Sequence, residues 1–186
     1  TGMTSLSYLY LSKNNINNIS ALAGMTKLNS LDLSENNISN ISALSRLTKL
    51  ERLYLEKNDI SDISALTGMT KLNWLDLGWN NISDISALSR LTKLETLYLN
   101  YNDNVIDDIS ALSELTNLKF LNLNGSNARD LSILSELTNL KSLHLRQNNI
   151  SDVTFLSGLV NLETLDLAYN VITDASPVHK LPKLKN

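Results

Sequence analysis

Two aspartates, Asp32 and Asp76, hold the same place in a phrase that repeats along the chain as L-x-x-L-x-L-x-x-N, and His144 and Asp166 hold it further on. If each phrase forms one strand of a sheet, the two carboxylates stand two strands apart, about 10 Å. That is not far outside the spacing of a glycosidase pair. Tyr54 falls between them in the same column, however, and an open sheet has no enclosed pocket to shift a carboxyl pKa. Cysteine is absent, so His144 has no thiol to activate, and no Ser/Asp constellation accompanies it. Six glycines in all are too sparse for a phosphate loop. A second column, Asp62, Asp84, Asp108, Asp130, Asp152 and Asp174, would repeat a carboxylate about every 5 Å. Such a row could hold cations, but aspartate at a turn more simply accepts a local backbone N–H. The sequence therefore assigns no catalytic residue, no cofactor and no metal, and the protein is not expected to be an enzyme.

Aromatic residues carry the functional signal instead. The chain has two Trp, six Tyr and two Phe, and all but Phe155 fall in the x columns of the phrase. A buried core needs no aromatics at positions that should face water. Exposed rings beside Arg and Asp have the composition of a protein-binding hot spot. The candidate partner-binding residues are Tyr8, Tyr10, Asp32, Arg52, Tyr54, Trp74, Asp76, Trp79, Tyr98, Tyr101, Phe120, His144, Arg146, Asp166 and Tyr169. Tyrosines on neighbouring strands can also pack on one another simply as strand formers, an account that suits Tyr10 better than Trp74 and Trp79. Charges on this face nearly balance, with Lys13, Arg52, Lys57 and Arg146 against Asp32, Glu35, Glu56, Asp76 and Asp166. Together with a net charge of −3, this points to a protein partner of unknown identity and away from nucleic acid. No apolar run approaches a membrane span, so membrane insertion is not expected.

These residues depend on a fixed period. The leading leucine recurs at Leu6, Leu28, Leu50, Leu72, Leu94, Leu118, Leu140, Leu162 and Leu184, every 22 residues except for one step of 24. A period of this size means a solenoid. Strands are predicted at Leu9–Leu11, Leu31–Leu33, Leu53–Leu55, Leu75–Leu77, Leu97–Leu99, Leu121–Leu123, Leu143–Leu145 and Leu165–Leu167, where leucines alternate with variable residues. Eight parallel strands make a strip roughly 35 Å long. After each strand an asparagine (Asn14, Asn36, Asn58, Asn80, Asn102, Asn148, Asn170) is placed to satisfy the free backbone groups of the turn. The rest of each unit is too short for a full helix, which predicts 3₁₀ turns. Ser20, Ser42, Ser64, Ser86, Ser110 and Ser132 sit at the expected N-cap positions. Met3, Met25 and Met69 take a leucine slot and belong to the core.

The regularity breaks once, at the extra residues around Asp103–Val105 and at Ser126 and Ala128, which replace the ladder Asn and the following Ile. Either the loop has drifted, or a bulge reshapes the binding face. A longer rhythm of 44 residues, with Gly-Met-Thr-Lys-Leu-Asn alternating with Ser-Arg-Leu-Thr-Lys-Leu-Glu, points to duplication of a repeat pair.

The phrase N-x-I-S-D-I-S-x-L-x-x-L-T-x-L, seen at 58–72 and 80–94, resembles the 22-residue leucine-rich repeat of the bacterial internalins. Ala43, Ala65, Ala87 and Ala111 stand where internalins often have proline, and neither their helical cap nor their immunoglobulin-like domain is seen in the sequence. The resemblance implies an α/β solenoid, a curved right-handed coil with a concave parallel sheet of about eight strands and short 3₁₀ or irregular convex turns. The repeat itself runs through nearly all of the chain, so one domain is expected over 1–186, read as a section of a longer protein because neither end shows a full cap. The resemblance also implies binding of a protein on the concave sheet, by a surface or secreted bacterial protein. Asn-x-Ser sequons in tight turns, such as Asn37 and Asn81, agree with a bacterial origin, where no glycan would obstruct stacking. The alternatives are an intracellular regulatory scaffold like the phosphatase-associated repeat proteins, and a segment that self-associates end to end.

Overall fold

The computed structural model describes residues 5–102, 106, 108–128 and 130–185. Eight three-residue strands follow one another: β1 (Tyr8–Tyr10), β2 (Ser30–Asp32), β3 (Arg52–Tyr54), β4 (Trp74–Asp76), β5 (Thr96–Tyr98), β6 (Phe120–Asn122), β7 (Ser142–His144) and β8 (Thr164–Asp166). They form one curved parallel sheet in sequence order, and every crossover on the convex side is a short 3₁₀ turn. The strands begin one residue before the predicted spans. Pairing nevertheless continues beyond them, for example from Leu11 N–H to Asp32 O at 2.8 Å.

Register is what turns a one-dimensional period into columns. Leu9, Leu31, Leu53, Leu75, Leu97, Leu121, Leu143 and Leu165 are matched strand to strand without a slip. A one-residue slip would send each of them to water, so the buried face fixes the pairing. From Leu28 to Leu162 nearly every repeat leucine is sealed, and the isoleucines of the turns close the far side of this core. Met69 is fully buried and Met25 packs partly buried against the same cluster, as their leucine slots require. Met3 and the insertion at Asp103–Val105 lie outside the described residues. The strands on either side of that insertion still pair in register, Thr96 with Phe120 and Leu97 with Leu121, so the concave face is continuous across the break.

The asparagine ladder does what its chemistry allows. Asn58 donates Nδ2–H to Leu55 O of its own turn at 3.1 Å and to Leu33 O of the previous one at 3.0 Å. Its Oδ1 accepts the N–H of Ile38 at 3.0 Å. One amide thus ties two coils together, which no apolar side chain can do. Ser126 lacks that reach. Its hydroxyl bonds Leu123 O within its own turn. The Ile106 N–H turns instead to the Ser126 main-chain carbonyl at 3.1 Å.

The serine column does not cap the convex turns. The residue before each turn is Ile19, Ile41, Ile63, Ile85, Ile109 or Leu131, and none makes a side-chain cap. Ser64, Ser86, Ser110 and Ser132 sit one place later and donate their N–H groups to Asp62, Asp84, Asp108 and Asp130. Ser20 and Ser42 donate likewise to Asn18 and Asn40. The acceptor two residues upstream is the cap, because it supplies an oxygen where serine's own hydroxyl would have to bend back. The Ser64 backbone N–H, seconded by its hydroxyl, holds the Asp62 carboxyl below the usual range, and Asp84, Asp108 and Asp174 are lowered the same way. The aspartate row is therefore a set of turn acceptors. Among the described residues no three His, Asp or Glu side chains converge to hold a metal.

Among the glycines of the convex turns, Gly158, which ends the turn Thr154–Gly158, stands closest to a neighbouring coil. A Cβ there would stand 2.2 Å from the Ser135 carbonyl oxygen of the preceding coil, whereas one on Gly24, in the same slot of the first turn, would meet nothing within 4 Å. Gly158→Ala is expected to cost about 2 kcal/mol through forced separation of backbones. Gly24→Ala should be neutral or slightly stabilising. Paired urea denaturation of the two variants checks this, and equal midpoints would refute the close approach.

Candidate functional site

The concave face carries two columns of side chains because residues flanking the middle leucine of each strand point the same way. Their contents alternate. In the column after the leucine, odd-numbered strands bear Tyr10, Tyr54, Tyr98 and His144, while even-numbered strands bear Asp32, Asp76, Asn122 and Asp166.

The even-numbered residues all do one job. The Oδ1 atoms of Asp32, Asp76, Asn122 and Asp166 accept the N–H two residues on, from Ser34, Gly78, Asn124 and Ala168, at 2.9 to 3.0 Å. They turn the chain out of the strand. This structural role lay outside the sequence reading, which placed the three aspartates on the face for a partner. Asn122 holds the same column but is not among the candidate partner-binding residues.

Between these acceptors the rings join into a zigzag ladder across five strands. Tyr54 of β3 lies 6.0 Å from Trp74 of β4, centroid to centroid, and Trp74 lies 5.9 Å from Tyr98 of β5. Tyr98 meets Phe120 of β6 at 4.7 Å, and Phe120 meets His144 of β7 at 5.2 Å. Each step crosses one strand and switches column, the diagonal neighbour relation of a sheet face. All five rings are half-buried. Trp74 in particular packs between two tyrosines rather than standing free. Its Nε1 is shielded and has no hydrogen-bond partner among the described residues.

A second set of rings stands at the rim. Trp79 and Tyr101 meet at 4.6 Å, centroid to centroid, with their planes tilted by 35°, and the Arg146 guanidinium lies 4.1 Å over the Tyr169 ring. Trp79, Tyr101 and Tyr169 have positive φ, as do Lys13, Glu35, Lys57 and Gln147 in the same slot. The turn after every strand imposes the left-handed conformation, at about 1–2 kcal/mol for each residue with a Cβ. In the sixth coil Gly125 takes the slot at φ 62°. A Cβ on Gly125 would stand 2.7 Å from the Tyr101 ring, which crosses that coil to place its hydroxyl 3.2 Å from Gln147 Oε1.

The remaining candidates are less engaged. Tyr8 and Tyr10 are 59% and 62% exposed, so they stand apart from the ladder. Arg52 is exposed beside Trp74 in register. Acids on the rims are paired: Glu35 with Lys13 and Lys57, Glu95 with Lys119, and Glu163 with Lys141 and Lys185. Asp76 is different. Its carboxyl is pushed up to about 6, first by burial against which the Gly78 N–H pulls, and further by the neighbouring charges of Glu56 and Asp32. Burial likewise raises Tyr54 and Tyr98 on either side of it.

Comparison with known proteins agrees with this architecture. Models of the leucine-rich repeat match residues 4–60, and models of paired leucine-rich repeats match 48–90, 70–114 and 138–186. No curated protein matches the chain. Among solved structures, an internalin (inlF) of Listeria monocytogenes is 38% identical with a TM-score of 0.96, over 98% of this chain and 54% of its own. Internalin C2 of the same organism is 34% identical with a TM-score of 0.92, over 96% of this chain and 78% of its own. A leucine-rich-repeat protein of Leptospira interrogans is 27% identical with a TM-score of 0.90, over 98% of this chain and 48% of its own. The present chain thus spans about half of the first of these proteins. Repeat phrase, sheet and structural likeness converge: the chain belongs to the leucine-rich-repeat family and, within it, to the internalins.

Proposed function

We propose that the chain recognises a partner protein on its concave sheet, as part of an internalin-type protein displayed on or released from a bacterial surface. The observation that carries this reading is the unbroken aromatic ladder from Tyr54 to His144. The leucine core is complete beneath it, so the fold does not need five rings on that face. Rings already packed against each other lose little freedom when a partner covers them, which makes them effective anchors. Trp79 and Tyr101 extend the apolar surface to the rim, and the lysine–glutamate pairs outside it supply a polar border. The surface location is supported by likeness to the Listeria proteins, and among the described residues no helix is long and apolar enough to cross a membrane.

The test is a pull-down from host-surface and cytosolic extracts in parallel, comparing wild type with the Tyr98→Ala/Trp79→Ala double variant. A partner is expected from the host-surface extract, with binding reduced at least about tenfold in the variant. Thermal melting confirms that the variant remains folded. Retention at full strength by the variant would move recognition off the concave face, and capture from cytosol alone would overturn the surface assignment.

A further inference from the structure

The ladder contains a carboxylate, and that restricts what can cover it. Asp76 is walled on three sides by rings. Tyr54 and Tyr98 are its register partners on the adjacent strands, and Trp74 precedes it by two residues on its own. The fourth side is Gly78, which has no side chain. The space a Cβ there would take is filled by the Asn100 amide, 2.9 Å away, so no side chain of Gly78's own could stand beside the carboxylate.

The turn requires an oxygen from Asp76 but no charge, since Asn122 makes the same bond two strands away. Among the described residues the charge is also unanswered. The charged groups that act on Asp76 are Glu56 and Asp32, both acids. Among the described residues neither Arg52 nor any lysine forms an ion pair with Asp76, Asp32 or Glu56, whereas the rim acids have lysine partners. A partner laid flat on the ladder with an apolar side chain at this point would strip the last water from a carboxylate and leave it unpaired. A cation there gains from the carboxylate and from the faces of the surrounding rings together.

Resting on the concave-face reading above, we propose that the partner inserts a basic side chain, arginine in preference to lysine, into the box formed by Tyr54, Trp74, Tyr98 and Asp76. Arginine fits better because its planar guanidinium stacks on rings and can engage a carboxylate in the same pose.

The experiment pans a library of random linear peptides against the intact chain. Enriched peptides are synthesised and titrated by calorimetry against wild type, Asp76→Asn, Tyr98→Ala and Glu136→Gln, the last a charge-matched change on the convex side. Each peptide is also made with its basic residue replaced by citrulline, a neutral isostere of arginine. The expected result is a shared arginine or lysine, and a loss of about tenfold or more on Asp76→Asn. Citrulline should cost the same and make the peptide indifferent to Asp76→Asn, with Glu136→Gln unchanged throughout. Peptides that weaken on Tyr98→Ala yet ignore both Asp76→Asn and citrulline would overturn the cation and leave the concave face standing. Peptides indifferent to Tyr98→Ala as well, or no enrichment at all, would overturn both.

Discussion

Replacing Asn80 by alanine is expected to destabilise the solenoid by about 3–5 kcal/mol, although its side chain bonds to none of the candidate binding residues. Asn80 is 2% exposed. Its Oδ1 accepts the Ile60 N–H at 3.0 Å, and its Nδ2 donates to Leu55 O, Leu77 O and Gly78 O at 3.0 to 3.2 Å. The three carbonyls keep other donors, from Asn58, Asn102 and the Lys57 N–H. Alanine therefore weakens them without stranding them. The Ile60 N–H has no such reserve and becomes a buried orphan, which costs the most. Asn14→Ala is the internal control, because among the described residues Asn14 donates only to Leu11 O and Ser12 O of its own exposed turn. It should lose no more than about 0.5–1 kcal/mol. Asn80→Ser should fall between, since Ser126 shows that serine retains the intra-coil bond and gives up the rung to its neighbour. Urea denaturation measures the order. Hydrogen exchange localises it, with faster exchange at Ile60 and little change in the distant coils, as nearest-neighbour coupling requires. A loss under about 1 kcal/mol for Asn80→Ala would mean that the ladder is not what holds the coils together.

The same residues show why the sequence exposed the fold so fully and the site only in part. A period of 22 residues with buried leucines leaves one register open, and the strands, the sheet order and the asparagine rungs all follow from it. The period also says which residues face outward. It does not say how their side chains settle. Trp74 looked like a free anchor because its column faces water, yet its ring is flanked by residues 20 positions before it and 24 after it, and packs between them. Asp32, Asp76 and Asp166 shared a column with tyrosines, and whether an aspartate there points at a partner or at the N–H two residues on depends on the turn dihedrals. Those dihedrals were hidden too: nothing in Lys13, Trp79 or Tyr169 announces a left-handed backbone, since the slot accepts almost any residue. Gly125 was the available clue, being the one member of that column suited to positive φ. The serine column misled because serine is a good cap in general, and here aspartate two residues earlier already provides the acceptor.

Asp76→Asn is expected to stabilise the protein above pH 7 by about 2–3 kcal/mol and to leave its stability near pH 4 unchanged. Burial raises the Asp76 carboxyl from its ordinary 3.8 to about 6 in the fold. A carboxyl that binds its proton more tightly folded than unfolded takes one up on folding between those two values. Its contribution is therefore neutral below about pH 4, and stability falls as pH rises through the window. Above about pH 6 the charged form is present in both states and the cost of burying it is complete. Asparagine removes that cost and keeps the oxygen that the Gly78 N–H requires, as Asn122 demonstrates in β6. Every other acid, Glu56 and Asp32 included, titrates in both proteins, so the difference between their melting curves isolates Asp76 and its coupling to those two. At about 2–4 °C per kcal/mol for a chain of this length, the variant should melt roughly 5–10 °C higher at pH 7.5. An equal advantage at pH 4 would show that the gain comes from packing, and a loss at pH 7.5 would show that the charge serves the fold. Under the concave-face reading, a charge that costs the free protein stability and that the turn does not require is available to a basic group of the partner.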